Sequence, residues 1–110
     1  MEITTNELRK IAEHQNIETL TGFTSDPDAI FMNDPETKGM IKYNPEMNLE
    51  QLEMIIDWCI KSGFDIAIQF EQGTKKWGCE IFTTENYYSE FGTNKSTAFL
   101  KSFLQLIETK

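Results

Sequence analysis

Bases are scarce in this chain: 10 Lys and Arg stand against 18 Asp and Glu, a formal net charge of −8. A polyanion repels a polyanion, so bulk nucleic-acid binding is disfavoured. There is one histidine, His14, and it is expected on an exposed face near a helix end, where it acts as a terminal cation rather than a base. Two cysteines, Cys59 and Cys79, sit in apolar settings without C-x-x-C spacing. They are expected to be buried, reduced thiols of a cytoplasmic protein, in preference to a disulfide or a Cys–His nucleophile pair. The start, Met1-Glu2-Ile3-Thr4-Thr5-Asn6, has neither a basic nor an apolar region, so no signal peptide is expected. No apolar run approaches the ~20 residues of a membrane span, and the C-terminus lacks a lipidation motif.

Motifs for chemistry are missing as well. No G-x-S-x-G, P-loop, G-x-G-x-x-G or H-E-x-x-H occurs. One histidine and scattered carboxylates predict no metal site, and Asp26-Pro27-Asp28 lacks the remaining ligands of a calcium loop. No cofactor is expected.

What is present is a length of 110 residues, with 39% hydrophobic residues and eight Phe. That suits one domain, 1–110, burying roughly two thirds of its chain surface. Thr4 and Glu7 form a capping box, with Ile3 and Leu8 at staple positions and Leu8, Ile11 and Ala12 as an apolar stripe. This helix should fade near Asn16 and pack loosely. Ser25-Asp26-Pro27-Asp28 and Asn33-Asp34-Pro35-Glu36 are turn signals. Residues 29–32 and 40–43 are predicted to pair as a hairpin across the second of them.

The second helix is announced by Asn48 as N-cap, Gln51 as the partner of a capping-box-like pair, and Met47 and Leu52 as a staple. Leu52, Ile55, Ile56, Cys59 and Ile60 repeat at helical spacing, and Gly63 suits the left-handed position after the end. The period then changes. Phe64, Ile66, Ile68 and Phe70 alternate with Asp65, Ala67, Gln69 and Glu71, and after a Gln72–Lys76 turn Trp77, Cys79 and Ile81 alternate with Gly78, Glu80 and Phe82, which predicts a second hairpin. Residues 84–95 read as a loop carrying Tyr87, Tyr88 and Phe91. A third helix, capped by Asn94 or Ser96, presents Phe99, Leu100, Phe103, Leu104, Leu106 and Ile107. The fold class is α+β: an antiparallel sheet of hairpins packed with three helices in the order α-β-β-α-β-β-α, as a layered sandwich.

Twelve of the acids lie in residues 1–62. Glu50, Glu53 and Asp57 share one stripe of the second helix, and Glu46 precedes it. Such a stripe either keeps the chain soluble or meets the Lys and Arg of a nucleic-acid-binding groove. Met54 and Trp58 flank it, and Tyr87, Tyr88 and Phe91 have Glu85 and Glu90 beside them, a pattern of aromatic anchors with an acidic rim. Trp77 reads as boundary core.

Several stretches then resemble the small phage proteins described as the phage ABA sandwich domain. They are Tyr43-Asn44-Pro45 before a helix, its end at Lys61-Ser62-Gly63-Phe64, the strand Asp65-Ile66-Ala67-Ile68, Trp77-Gly78-Cys79-Glu80-Ile81, and a closing helix with Ala98, Phe99, Leu100 and Phe103. The resemblance spans residues 43–108; residues 1–42 depart from it with a longer acidic lead-in. It implies an α/β/α layered domain of phage or mobile-element origin and carries no activity and no site residues.

The function expected is a non-enzymatic module that binds or inhibits a host protein with a basic surface, a nucleic-acid-binding or defence protein being the obvious kind. It would use Glu46, Glu50, Glu53, Asp57, Met54, Trp58, Tyr87, Tyr88 and Phe91, as a monomer or weak dimer without direct nucleic acid or membrane contact. The alternatives are a small-molecule binder or minor enzyme with its site between the 64–82 hairpin and the 84–95 loop, and a structural dimer formed through Met54, Trp58 and the sheet edge.

Overall fold

The computed structural model describes residues 2–21 and 28–109. The 25–27 part of the first predicted turn lies outside them. The described elements run α1 (Thr5–His14), β1 (Phe31–Asn33), β2 (Met40–Lys42), α2 (Leu49–Lys61), β3 (Asp65–Glu71), β4 (Lys76–Phe82), β5 (Tyr87–Gly92) and α3 (Lys95–Glu108). The chain is α+β, with three helices and two small antiparallel sheets, β1-β2 and β3-β4-β5.

The capping box of α1 forms in both directions, with Thr4 accepting from the Glu7 amide and Glu7 accepting from the Thr4 amide. The helix stops where Asn16 turns to φ 59. Its apolar stripe is not loosely packed: Leu8, Ile11 and Ala12 are all buried, and α1 lies against α3.

The cap of α2 differs from expectation at two residues. Asn48 accepts from the Gln51 amide as predicted. The Gln51 side chain, however, does not turn back to Asn48. It is buried, accepts from the Asn44 amide at 2.6 Å and donates to the Lys42 carbonyl at 2.7 Å, so it ties the end of β2 to the helix. Met47 makes no staple and is 74% exposed; Pro45 and Glu46 enter the interior in its place. Leu52, Ile55 and Cys59 are buried as expected, but Ile60 is 60% exposed. At the far end Gly63 takes φ 83, with its amide on Ile60 and the Phe64 amide on Cys59, the two bonds of a Schellman ending.

The second hairpin forms in the expected alternation, with Ile66 opposite Ile81, Ile68 opposite Cys79 and Phe70 opposite Trp77. The left-handed position of its turn falls on Lys75 (φ 58) rather than on Gly73. The predicted 84–95 loop is largely a strand. β5 pairs with β4 throughout, so the order becomes α-β-β-α-β-β-β-α. The β4–β5 turn contains neither Gly nor Pro. Thr83 builds it, its hydroxyl accepting from the Asn86 amide and donating to the Asn86 carbonyl, both at 3.0 Å.

Helix α3 begins at Asn94, which accepts from the Thr97 amide. Phe99, Leu100, Phe103, Leu104 and Leu106 are buried along it, and it covers β4 and β5. The Ser102 hydroxyl donates to the Cys79 carbonyl at 2.8 Å. Contact is close because Gly92 lacks a side chain: a Cβ there would stand 2.6 Å from the Ala98 amide nitrogen. Gly92→Ala should therefore push β5 off α3, lowering the urea midpoint by an amount equivalent to about 1–3 kcal/mol at unchanged slope. Equilibrium unfolding checks this, and a variant as stable as the parent would contradict the packing described.

Candidate functional site

The predicted site residues do not form one patch. Glu46 is the clearest departure. It is only 6% exposed, because Asn44 accepts from the Glu46 amide and turns the chain inward at Pro45. Its carboxylate accepts from the Glu2 amide at 3.3 Å, the Ile3 amide at 3.4 Å and the Thr97 hydroxyl at 2.5 Å. Thr97 lies in the first turn of α3, whose positive dipole end favours an anion nearby. Glu46 is thus structural rather than part of an exposed acidic wall, and so is Glu2. The Glu2 carboxylate accepts from the Thr93 amide at 3.1 Å and the Thr93 hydroxyl at 2.8 Å, and pairs with Lys101 at 3.2 Å.

Trp58 and Tyr88 also turn inward. Trp58 meets His14 edge-on at 4.7 Å between ring centroids, with Phe64 at 5.8 Å and Phe103 at 5.9 Å. His14 is accordingly half-buried between Trp58 and Phe103, not on an exposed face. Tyr88 is half-buried, and its hydroxyl accepts from Thr109. Of the two rim acids, Glu90 is held by Gln105. Trp77 lies at the core boundary as expected, between Phe70 at 5.3 Å and the Lys95 ammonium at 5.0 Å.

Two surfaces remain. The first is the outer side of α2. Glu50, Glu53 and Asp57 are exposed there and have no ion-pair partner among the described residues. Leu49 (67% exposed), Met54 (50%) and Ile60 accompany them. Sequence reading found the acids but assigned Ile60 to the core. The second is the face of β3-β4-β5 turned away from α3. Strand alternation places Phe82, Tyr87 and Phe91 on it, and all three are exposed. Phe82 was missed as an anchor: alternation sets it on the face opposite Trp77, Cys79 and Ile81, but a lone Phe at a strand end gives no sign that this face is left open.

Other chemistry is sparse. Burial pushes the Cys59 thiol up to about 12, with Cys79 adding to the shift, and burial likewise raises Cys79 to about 11. Neither supplies a thiolate near neutral pH. No group of three metal-ligating side chains occurs among the described residues. No helix among them is long and apolar enough to cross a membrane. Residues 87–92, which the small-molecule alternative takes as a loop beside the hairpin, pair with β4 as β5. A cleft of about 240 Å³ lies elsewhere, between α1 and β2, lined by Leu8, Ile30 and Tyr43 among others. The Tyr43 hydroxyl is buried and has no hydrogen-bond partner among the described residues.

No protein-family model matches the chain, and neither curated proteins nor solved structures include a match.

Two stability effects follow from the paired carboxylates. Glu46→Ala strands two amides and a hydroxyl in the interior, and should cost about 2–4 kcal/mol in chemical denaturation; a loss below about 1 kcal/mol would show that the carboxylate is dispensable. Glu2 titrates differently. The Thr93 amide, then its hydroxyl, then Lys101 hold the Glu2 carboxyl down at about 2, against an ordinary value of 4.5. A depressed folded-state value means stability that is complete above pH 4.5 and is lost as the pH falls toward 2. Because Glu2 is partly exposed, solvent screening limits the effect to on the order of 0.5–1 kcal/mol. Glu2→Gln should thus melt below the parent at neutral pH, and the two curves should converge near pH 2. A gap independent of pH would refute the assignment.

Proposed function

We propose that the chain is a non-enzymatic binding module of phage or mobile-element origin, which engages and inhibits a host protein through the acidic outer side of α2. The observation carrying this reading is the composition of that side. Carboxylates with no ion-pair partner among the described residues stand between aliphatic side chains that the fold leaves in water. Single exposed aliphatic residues are ordinary on a surface, but Leu49, Met54 and Ile60 here flank the acids on one side of a single helix. A partner with Lys or Arg around an apolar centre would neutralise the acids and cover the aliphatic groups together.

The net charge of −8 steers the encounter, and a basic nucleic-acid-binding groove is the surface most strongly attracted. The phage origin rests on the likeness of residues 43–108 to the phage ABA sandwich domain. Inhibition follows from competition: carboxylates repeating every ~5 Å along a helix occupy the cations that otherwise contact phosphates.

The test is capture from host lysate on the immobilised chain. A specific host protein should be retained at about 50 mM salt and released at about 500 mM, where screening shortens to a few ångströms. The Glu50→Lys/Glu53→Lys/Asp57→Lys triple variant should lose at least about 90% of that retention while melting at the parental temperature, since all three positions are on the surface. Retention indifferent to both salt and the triple variant would end this reading.

A further inference from the structure

The open face of the three-stranded sheet has a layout that the α2 stripe does not explain. Three rungs of the ladder face outward there: Asp65, Phe82 and Tyr87; then Ala67, Glu80 and Ser89; then Gln69, Gly78 and Phe91. Phe82 and Tyr87 stack across the strands, their centroids 6.1 Å apart. At the other end the Phe91 ring lies over Gly78, where an added Cβ would come within 3.2 Å of it. Two aromatic walls are therefore set about 13 Å apart along β5. Between them the floor is made of small residues, Ala67 and Ser89, with a single carboxylate at its centre. Glu80 has no hydrogen-bond or ion-pair partner among the described residues. Glu71 and Lys76 face each other one rung beyond and offset one another, so Asp65 and Glu80 give the basin its negative charge.

We propose that this face is a docking surface for an arginine side chain of a protein partner. A guanidinium is planar, always charged and able to bond a carboxylate through two N–H groups at once while its flat faces lie on aromatic rings. Glu80 supplies the carboxylate, Tyr87 supplies a ring for the guanidinium, and Phe91, about 13 Å away along β5, bounds the other end of the basin. Lysine meets the charge requirement but cannot stack. A second copy of this chain is the poorer occupant, because face-to-face pairing buries Glu80 against the Glu80 of the other copy. The site is independent of the acidic side of α2.

The experiment is an amide NMR titration of the whole chain with a blocked glycyl-arginyl-glycine peptide. Matched peptides carry lysine or citrulline, the latter being the uncharged isostere of arginine. The expected result is saturating shifts centred on Gly78, Glu80, Ser89 and Tyr87, with citrulline weaker by about tenfold or more and lysine weaker than arginine. Glu80→Gln, which keeps the shape and the strand, should weaken the arginine peptide about tenfold, and so should Tyr87→Ala. The α2 triple variant should bind the peptide through the same amides, so failure here and failure of the α2 reading are separately visible. The proposal is overturned by shifts that map to α2, by equal binding of arginine and citrulline or of arginine and lysine, by no saturable shift up to about 20 mM peptide, or by shifts on these amides that follow protein concentration without peptide.

Discussion

The fold closes on one buried carboxylate. An anion in the interior is tolerated only if donors surround it, and Glu46 draws its donors from two distant stretches of chain, the amides of residues 2 and 3 and the hydroxyl of Thr97. Once Glu46 is placed, the path of the chain before α1 and the position of the first turn of α3 are both determined. Gln51 does comparable work beside it, joining the end of β2 to the loop that leads into α2. Burying a polar group is unfavourable in isolation, but each of these is satisfied on more than one side, which makes the arrangement specific as well as stable.

The same pair shows where a sequence can and cannot be read. The α1 capping box, the Gly63 ending and the 64–82 hairpin were legible because each is a short-range pattern with a local cause. Gln51 sits at the right spacing for a capping box, yet its side chain answers a long-range demand that no local pattern records. Glu46 looked like one more acid before a helix. Its burial depends on Thr97, 51 positions away. β5 was hidden for two reasons. Thr83 forms its turn through a hydroxyl rather than through Gly or Pro, and both faces of the strand mix aromatic with polar residues, which blurs the two-residue period.

For function, the effect is to redistribute the negative charge. An acid count treats all the carboxylates alike, but Glu2, Glu46 and Glu90 are engaged in holding the fold. The free field that remains is smaller; it includes the carboxylates of α2 and of the open side of the sheet, with Glu13, Glu18 and Glu36 exposed elsewhere. Of the aromatics expected to anchor a partner, Trp58 and Tyr88 are half-buried against the core, leaving Tyr87 and Phe91, joined by Phe82, exposed on the open side of the sheet. The candidate surface is therefore two surfaces of different character, one aliphatic and acidic, the other aromatic with a single central acid.

The clasp between Glu2 and the start of α3 also bears on biosynthesis. Glu2 finds its partners 91 and 99 positions further along, at Thr93 and Lys101. A ribosome must release the chain through Lys101 before Glu2 can make all of these contacts. Until then α1, whose buried stripe rests on α3, lacks that support, and a helix of its length is marginal alone in water. The α1 segment is thus fully secured only after α3 has formed, and a nascent chain halted short of Lys95 leaves its buried stripe without that cover.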